Sequence, residues 1–394
     1  MIPYGRQNIS EADINSVIDV LRSNFLTQGP TIPKFENRMQ EYCRSQYAVA
    51  VNSATSALHL ACLSLGLGKG DILWTSPISF VASSNAALYC GASVDFVDID
   101  FNTNNMSISS LQEKLIYAKK EGTLPKVVIP VHMGGHSCDM SVIHELSKEY
   151  NFKIIEDASH AVGGKYKGKP VGSCEFSDIT IFSFHPVKII TTGEGGMALT
   201  NDKALYQKMT TLRTHGITRN KALMHNKNEG AWYYEQLELG LNYRITEMQA
   251  ALGYSQMDRL DTFVSERNKH AAFYQNALSG LAVTLPVEDS SIYSSYHLFI
   301  IKLESKCPAK RRIIFDLMRK NNIGVNVHYI PIHLQPFYKR LNFKKGDFPV
   351  AEAYYDSAIS IPLYPDIGEV SLNKVARTLS EAINFANNKQ ITNI

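Results

Sequence analysis

Between residues 47 and 201, short apolar runs rich in β-branched residues alternate with stretches of helical spacing. That alternation builds a largely parallel sheet covered by helices. The predicted strands are Tyr47–Asn52, Asp71–Ser76, Val94–Ile99, Lys126–His132, Lys153–Asp157, Ile179–Phe184 and Gly196–Thr200. A helix is expected from near Thr55, with Ala57, Leu58, Ala61, Cys62 and Leu65 at helical spacing, and another from Met140 to Tyr150. From Thr246 to about Leu278 the pattern predicts one long helix. A mixed stretch follows, with strands at Tyr296–Leu303 and Ser360–Leu363 and helices at Lys310–Asn321 and Ser371–Ala386. The expected fold class is α/β: a large domain over residues 1–260, with an N-terminal arm and a mostly parallel sheet, and a smaller α+β domain over 261–394.

With 394 residues, the chain can bury cores for both units. Its 40 Lys and Arg nearly balance 37 Asp and Glu, and no basic block is present to track a phosphate backbone, so no nucleic-acid partner is expected. The polar start and the absence of a long apolar run predict neither a signal peptide nor a membrane span, hence a cytoplasmic location. Cys43, Cys62, Cys90, Cys138, Cys174 and Cys307 are scattered without a Cys-x-x-Cys pair, which predicts reduced thiols. His132, His136 and Cys138 invite a metal reading, but no carboxylate motif accompanies them and no metal is expected.

Chemistry concentrates where strands end. Ile179–Phe184 runs into His185-Pro186-Val187-Lys188, setting a lysine beyond a strand end, the place where α/β sheets hold ligands. An amine condenses with an aldehyde only when unprotonated, and partial burial favours that form. Glu156-Asp157-Ala158-Ser159-His160 likewise follows a strand, and Asp157 can serve either as a helix cap or as the fixed carboxylate that a protonated pyridine nitrogen requires. Val51-Asn52-Ser53-Ala54-Thr55-Ser56 is a strand, a small-residue turn and a helix start, which aims backbone N–H groups at an anion such as a cofactor phosphate, with Ser183 as a second donor. Phe80, after the strand ending at Ser76, can stack on a flat ring or belong to the core. The Gly193-Glu194-Gly195-Gly196 run is explained by a turn that needs positive φ.

These segments, together with Thr191-Thr-Gly-Glu-Gly-Gly196, Arg213-Thr-His-Gly216 and Gly240-Leu-Asn-Tyr-Arg-Ile-Thr-Glu247, resemble the DegT/DnrJ/EryC1/StrS family of fold-type I aminotransferases from Ile2 to about Asn384. The resemblance implies pyridoxal 5′-phosphate (PLP) as cofactor, Lys188 as the Schiff-base lysine, Asp157 as partner of the ring nitrogen and His160 as neighbour of the ring hydroxyl. It implies phosphate contacts from Ala54, Thr55 and Ser183, and stacking by Phe80. It also implies a homodimer in which Asn242 reaches the second subunit's site. Within the family the wording is most similar to members that aminate UDP-linked 4-keto-sugars with L-glutamate. That similarity implies sugar-nucleotide contacts from Tyr4, from Asn24, Phe25, Leu26 and Thr27, and from Asn326, Val327, His328 and Tyr329. Relatives that remove a hydroxyl carry His in place of the lysine, whereas this chain keeps Lys188. It departs from many relatives at Gly134-Gly135-His136, where they have an Ala-Gly-Gln or Tyr-Gly-Gln turn, a change that alters either the pocket near the sugar or the turn alone.

Overall fold

A computed structural model describes residues 1–226, 229–304 and 308–388, so Cys307 lies outside the described residues. A seven-stranded sheet forms from β1 (Tyr47–Val51), β2 (Ile72–Thr75), β3 (Ser93–Phe96), β4 (Val127–Ile129), β5 (Lys153–Asp157), β6 (Ile179–Ser183) and β7 (Gly196–Thr200), in the spatial order β1-β7-β6-β5-β4-β2-β3. Only β7 runs against its neighbours: β2–β3, β2–β4, β4–β5 and β5–β6 pair in parallel, while β6–β7 and β1–β7 are antiparallel. β4 stops short of the predicted His132 because Pro130 has no N–H to extend the ladder.

Helices α1 (Glu11–Arg22), α2 (Thr31–Cys43), α3 (Ala54–Ser64), α4 (Ala82–Tyr89), α5 (Ile108–Glu121), α6 (Met140–Tyr150) and α7 (Lys203–Arg213) accompany the sheet. α3 has little amphipathic character, and Ala57, Leu58, Leu60, Ala61 and Cys62 are all buried, so it packs as an interior helix. Each of its buried leucines contributes about 1.5–3 kcal/mol of apolar transfer. α2 begins at a Pro30 cap that has no side-chain acceptor. The buried carboxylate of Glu247 takes that role, accepting from the N–H groups of Gly29 (3.0 Å), Thr31 (2.6 Å) and Ile32 (3.2 Å).

The predicted single helix over Thr246–Leu278 is instead two, α8 (Glu247–Gln256) and α9 (Leu260–Leu278), joined by a 3₁₀ turn at Met257–Arg259. Arg259 leaves helical geometry at φ −111°, ψ 1°. The joint carries Gln256 and Arg259, which donate to the fully buried Asp13 at 2.7 and 2.5 Å. A buried carboxylate without such donors is costly. Beyond α9, β8 (Val283–Thr284), β9 (Phe299–Leu303) and β10 (Ala358–Ile361) form a three-stranded antiparallel sheet in the order β8-β9-β10. With α10 (Pro308–Lys320) and α13 (Glu369–Asn388) it encloses a second core around Phe299, Ile301, Met318, Val375 and Leu379, and α11 (Pro336–Lys339) and α12 (Pro349–Ser357) lie between them in sequence. β9 starts three residues later than predicted because Tyr296 takes a left-handed φ of 45° and the N–H of Leu298 donates to the Gly134 carbonyl at 3.2 Å instead. β10 ends before Pro362. Among the described residues no helix is long and apolar enough to cross a membrane.

Candidate active site

All strands except β7 present their C-terminal ends on one edge of the sheet, and there β5 delivers Asp157 and β6 delivers Ser183. The chain after β6 makes a closed excursion. The N–H of Thr192 donates to the Phe184 carbonyl at 3.0 Å, and that of Phe184 to Gly195 at 3.0 Å, which pins both ends of the loop carrying Lys188. Lys188 is half-buried, and its amine is pushed down to about 8 by burial, against the opposing pull of Asp157. Asp157 is buried, with each carboxylate oxygen engaged: Ser83 Oγ donates to Oδ2 at 2.6 Å and the Ser159 N–H to Oδ1 at 3.2 Å.

His160 is buried beside them. The Gly134 N–H donates to its Nδ1 at 3.3 Å, and Nε2 lies 3.2 Å from the Tyr329 hydroxyl. These partners assign the ring proton to Nε2. Burial, then Lys188, His328 and His132, hold His160 well below the usual imidazole range, so the ring is neutral. Burial and Lys188 push His328 down to about 4. Its Nδ1 lies 2.8 Å from Ser360 Oγ and its ring 5.4 Å from that of Tyr4, while Asn326 Nδ2 lies 3.3 Å from its Nε2. Phe80, 59% exposed, stands 6.4 Å from Tyr329 between ring centroids, with the two rings tilted by 57°. The core reading of Phe80 is therefore wrong.

At the start of α3, Ser53 Oγ accepts from the Ser56 N–H at 3.1 Å, and the first intrahelical donor is Ala57. The Ala54 and Thr55 N–H groups precede that donor and project from the helix end. A Cβ at Gly196 would come within 2.4 Å of Ala54 N, so the β7 backbone buttresses this turn. Gly193 has the positive φ (79°) expected of the glycine run, but Gly196 is required for close approach.

The other expected residues fall elsewhere on the surface or in the backbone. Asn24, Phe25, Leu26 and Thr27 are exposed, and the Leu26 carbonyl accepts from the Glu247 N–H at 3.0 Å. Asn242 is also exposed and bridges to Thr214. Val327 donates its N–H to Asn326 Oδ1 at 2.8 Å. His132 is occupied, accepting at Nδ1 from the Cys138 N–H (3.1 Å) and meeting Glu156 Oε2 at 2.8 Å from Nε2. Among the described residues no group of three His, Cys, Asp or Glu is arranged to hold a metal ion.

Sequence reasoning missed Ser83, Ser295 and His297. Ser295 Oγ donates to the His160 carbonyl at 2.7 Å, and the His297 ring lies 4.5 Å from that of His160. The departure at Gly134-Gly135-His136 now has a physical content. Gly134 (φ 67°) aims its N–H at His160, and a Cβ at Gly135 (φ 99°) would meet Ser295 Oγ at 2.4 Å and the His160 carbonyl at 3.0 Å.

This donor set suits PLP. An amine with a depressed proton affinity can condense with its aldehyde, a buried carboxylate braced at both oxygens can face a cationic ring nitrogen, and free N–H groups at a helix start can receive a phosphate. Comparison with known proteins agrees. A model of the DegT/DnrJ/EryC1/StrS aminotransferase family matches residues 7–380. The chain is 38% identical over 383 residues to the UDP-4-amino-4,6-dideoxy-N-acetyl-β-L-altrosamine transaminase of Campylobacter jejuni, covering 96% of each. The solved structure of Helicobacter pylori PseC, an aminotransferase of pseudaminic acid biosynthesis, matches with a TM-score of 0.89 at 30% identity, over 98% of this chain and 99% of that one. The PLP form of the Spr1654 protein of Streptococcus pneumoniae matches with a TM-score of 0.88 at 29% identity, over 98% and 99%. The cofactor is PLP, and the chain belongs to the DegT/DnrJ/EryC1/StrS family of nucleotide-sugar aminotransferases.

Proposed function

We propose that the protein transfers the amino group of L-glutamate to C4 of UDP-2-acetamido-2,6-dideoxy-β-L-arabino-hexos-4-ulose, giving UDP-4-amino-4,6-dideoxy-N-acetyl-β-L-altrosamine for pseudaminic acid biosynthesis. The observation that carries this choice of sugar is the 38% identity, over 96% of both chains, to the Campylobacter jejuni transaminase. In this reading residues 1–260 form the PLP-binding domain, and two copies of the chain share their sites, the exposed Asn242 of each reaching the other's cofactor.

PLP, when bound, supplies an aldehyde with which amines condense and a ring that takes up the electron pair left when a proton leaves the donor's α-carbon. Lys188 anchors the cofactor through its Nζ until glutamate displaces it. The freed amine would take the proton from the α-carbon of glutamate in the first half of the reaction and deliver one to C4 of the sugar in the second. Asp157 keeps the ring nitrogen protonated. Ala54 and Thr55 N–H groups with Ser183 Oγ hold the phosphate, Phe80 stacks on the ring, and His160, with its proton on Nε2, orients the ring hydroxyl together with Tyr329. Tyr4, Asn24 to Thr27, and Asn326 to Tyr329 bind the sugar nucleotide.

The Lys188 amine at about 8 gives a pH dependence. Protonation blocks condensation, and the neutral fraction grows as pH rises: about a tenth at pH 7, against on the order of one in 10³ for an ordinary lysine. PLP capture by the apoprotein is therefore expected to accelerate nearly tenfold per pH unit up to about 8 and to level off above it. Stopped-flow absorbance would show this, and a rate still rising tenfold per unit beyond pH 9 would contradict it.

The substrate is tested by incubating PLP-loaded protein with glutamate and UDP-, GDP- and dTDP-linked keto-sugars. Mass spectrometry and NMR should identify the 4-amino altrosamine product as the most rapidly formed. Faster conversion of a GDP-linked or 3-keto-sugar would overturn the proposed sugar.

A further inference from the structure

Asp157 is held by more than its own strand. Ser83, in the first turn of α4, is fully buried, and its Oγ lies 2.6 Å from Asp157 Oδ2. The same Oγ lies 2.8 Å from Ser79 Oγ, and Ser79 is also buried. A hydroxyl has one proton, and an ionised carboxylate only accepts, so Ser83 spends its proton on Asp157; the Phe80 carbonyl at 3.4 Å is a much poorer acceptor. Ser79 must then donate to Ser83. The result is a directed chain, Ser79 to Ser83 to Asp157, ending in a short charge-assisted bond in a dry setting, where successive donors strengthen one another.

Two restraints fix the carboxylate plane, Ser83 on Oδ2 and the Ser159 N–H on Oδ1. The second is longer, at 3.2 Å. Without Ser83 the carboxylate would hang on that one bond and turn about its Cβ–Cγ axis. The same segment carries the exposed Phe80, so one short turn both holds that ring and braces the acid.

We infer that Ser83, backed by Ser79, is a positioning residue that orients Asp157 toward the cofactor ring nitrogen. The inference rests on the proposed role of Asp157. Its test is a double-mutant cycle on PLP affinity, read by equilibrium dialysis of the full-length apoprotein, with Ser83→Ala, Asp157→Ala and the pair. Serine-to-alanine removes one oxygen without adding volume, and circular dichroism confirms that each variant folds. Ser83→Ala should weaken PLP binding about tenfold in the native background and less than twofold in the Asp157→Ala background. Ser79→Ala should give a smaller loss of the same kind, about twofold to threefold, and Ser83→Cys, which keeps a weak donor, an intermediate one. No effect of Ser83→Ala, or an equal loss in both backgrounds, would overturn the inference, because Ser83 would then act independently of Asp157. Asp157→Ala without effect on affinity would instead overturn the role of Asp157 itself.

Discussion

Lys188→Ala is expected to fold normally, with a Tm within a few degrees of the native apoprotein, and to lose transamination by a factor of about 10³ or more. Proton transfer by a positioned side chain is by itself worth about 10²–10⁴. The same residue also provides the covalent anchor, so its loss removes two contributions at once. The fold should tolerate the change because the loop is closed by main-chain bonds at Phe184, Thr192 and Gly195, none of which involves the lysine side chain. Removing a half-buried ammonium whose proton affinity is depressed also relieves an electrostatic cost in the apoprotein. A small primary amine added to the reaction should restore part of the proton transfer. Single-turnover assays with glutamate alone check both points, and activity within tenfold of native would contradict the assignment.

Asp157→Asn is expected to cut kcat by about 10²–10³ while leaving the Tm nearly unchanged. Asparagine preserves shape: with its amide oxygen accepting from the Ser159 N–H, its NH2 group can donate to Ser83 Oγ, so both contacts persist with the Ser83 bond reversed. What disappears is the negative charge that keeps the cofactor nitrogen protonated. The loss should therefore appear in kcat more than in KM for glutamate. A variant with unchanged kcat would mean that the carboxylate is only a structural cap at the end of β5.

Much of this site was legible because it lies where strand patterns end. Lys153–Asp157 and Gly196–Thr200 form strands over the predicted residues, and the turn before Ala54 carries the signals of a helix start. Local pattern sufficed to set Lys188, Asp157 and the Ala54–Thr55 turn next to strand ends, where the structure has them. The residues that escaped reach the site across the chain. Ser83 meets Asp157 over 74 positions, and Ser295 meets His160 over 135. No periodicity encodes such distances. His297 was hidden inside a predicted strand, and the left-handed Tyr296 before it could not be read from an aromatic residue whose local preference is extended.

The helix break at Met257–Arg259 was concealed for a related reason. The stretch from Glu247 to Leu278 contains no proline, and its only glycine is Gly253, so sequence signals favoured continuity. The break coincides with side-chain bonds to Asp13, nearly 250 residues earlier, a tertiary demand that overrides propensity. The glycines at 134 and 135 were visible as a departure from relatives, but their meaning depended on His160 and Ser295 lying against them.

Lys188 is the residue proposed to anchor PLP. The most direct measurement is borohydride reduction of the PLP-loaded protein, followed by proteolysis and peptide mass spectrometry. A single cofactor-bearing peptide is expected, with Lys188 as its modified residue, and no label in the Lys188→Ala variant. A cofactor label on another lysine, or a native protein that takes up no label after saturation with PLP, would contradict that role.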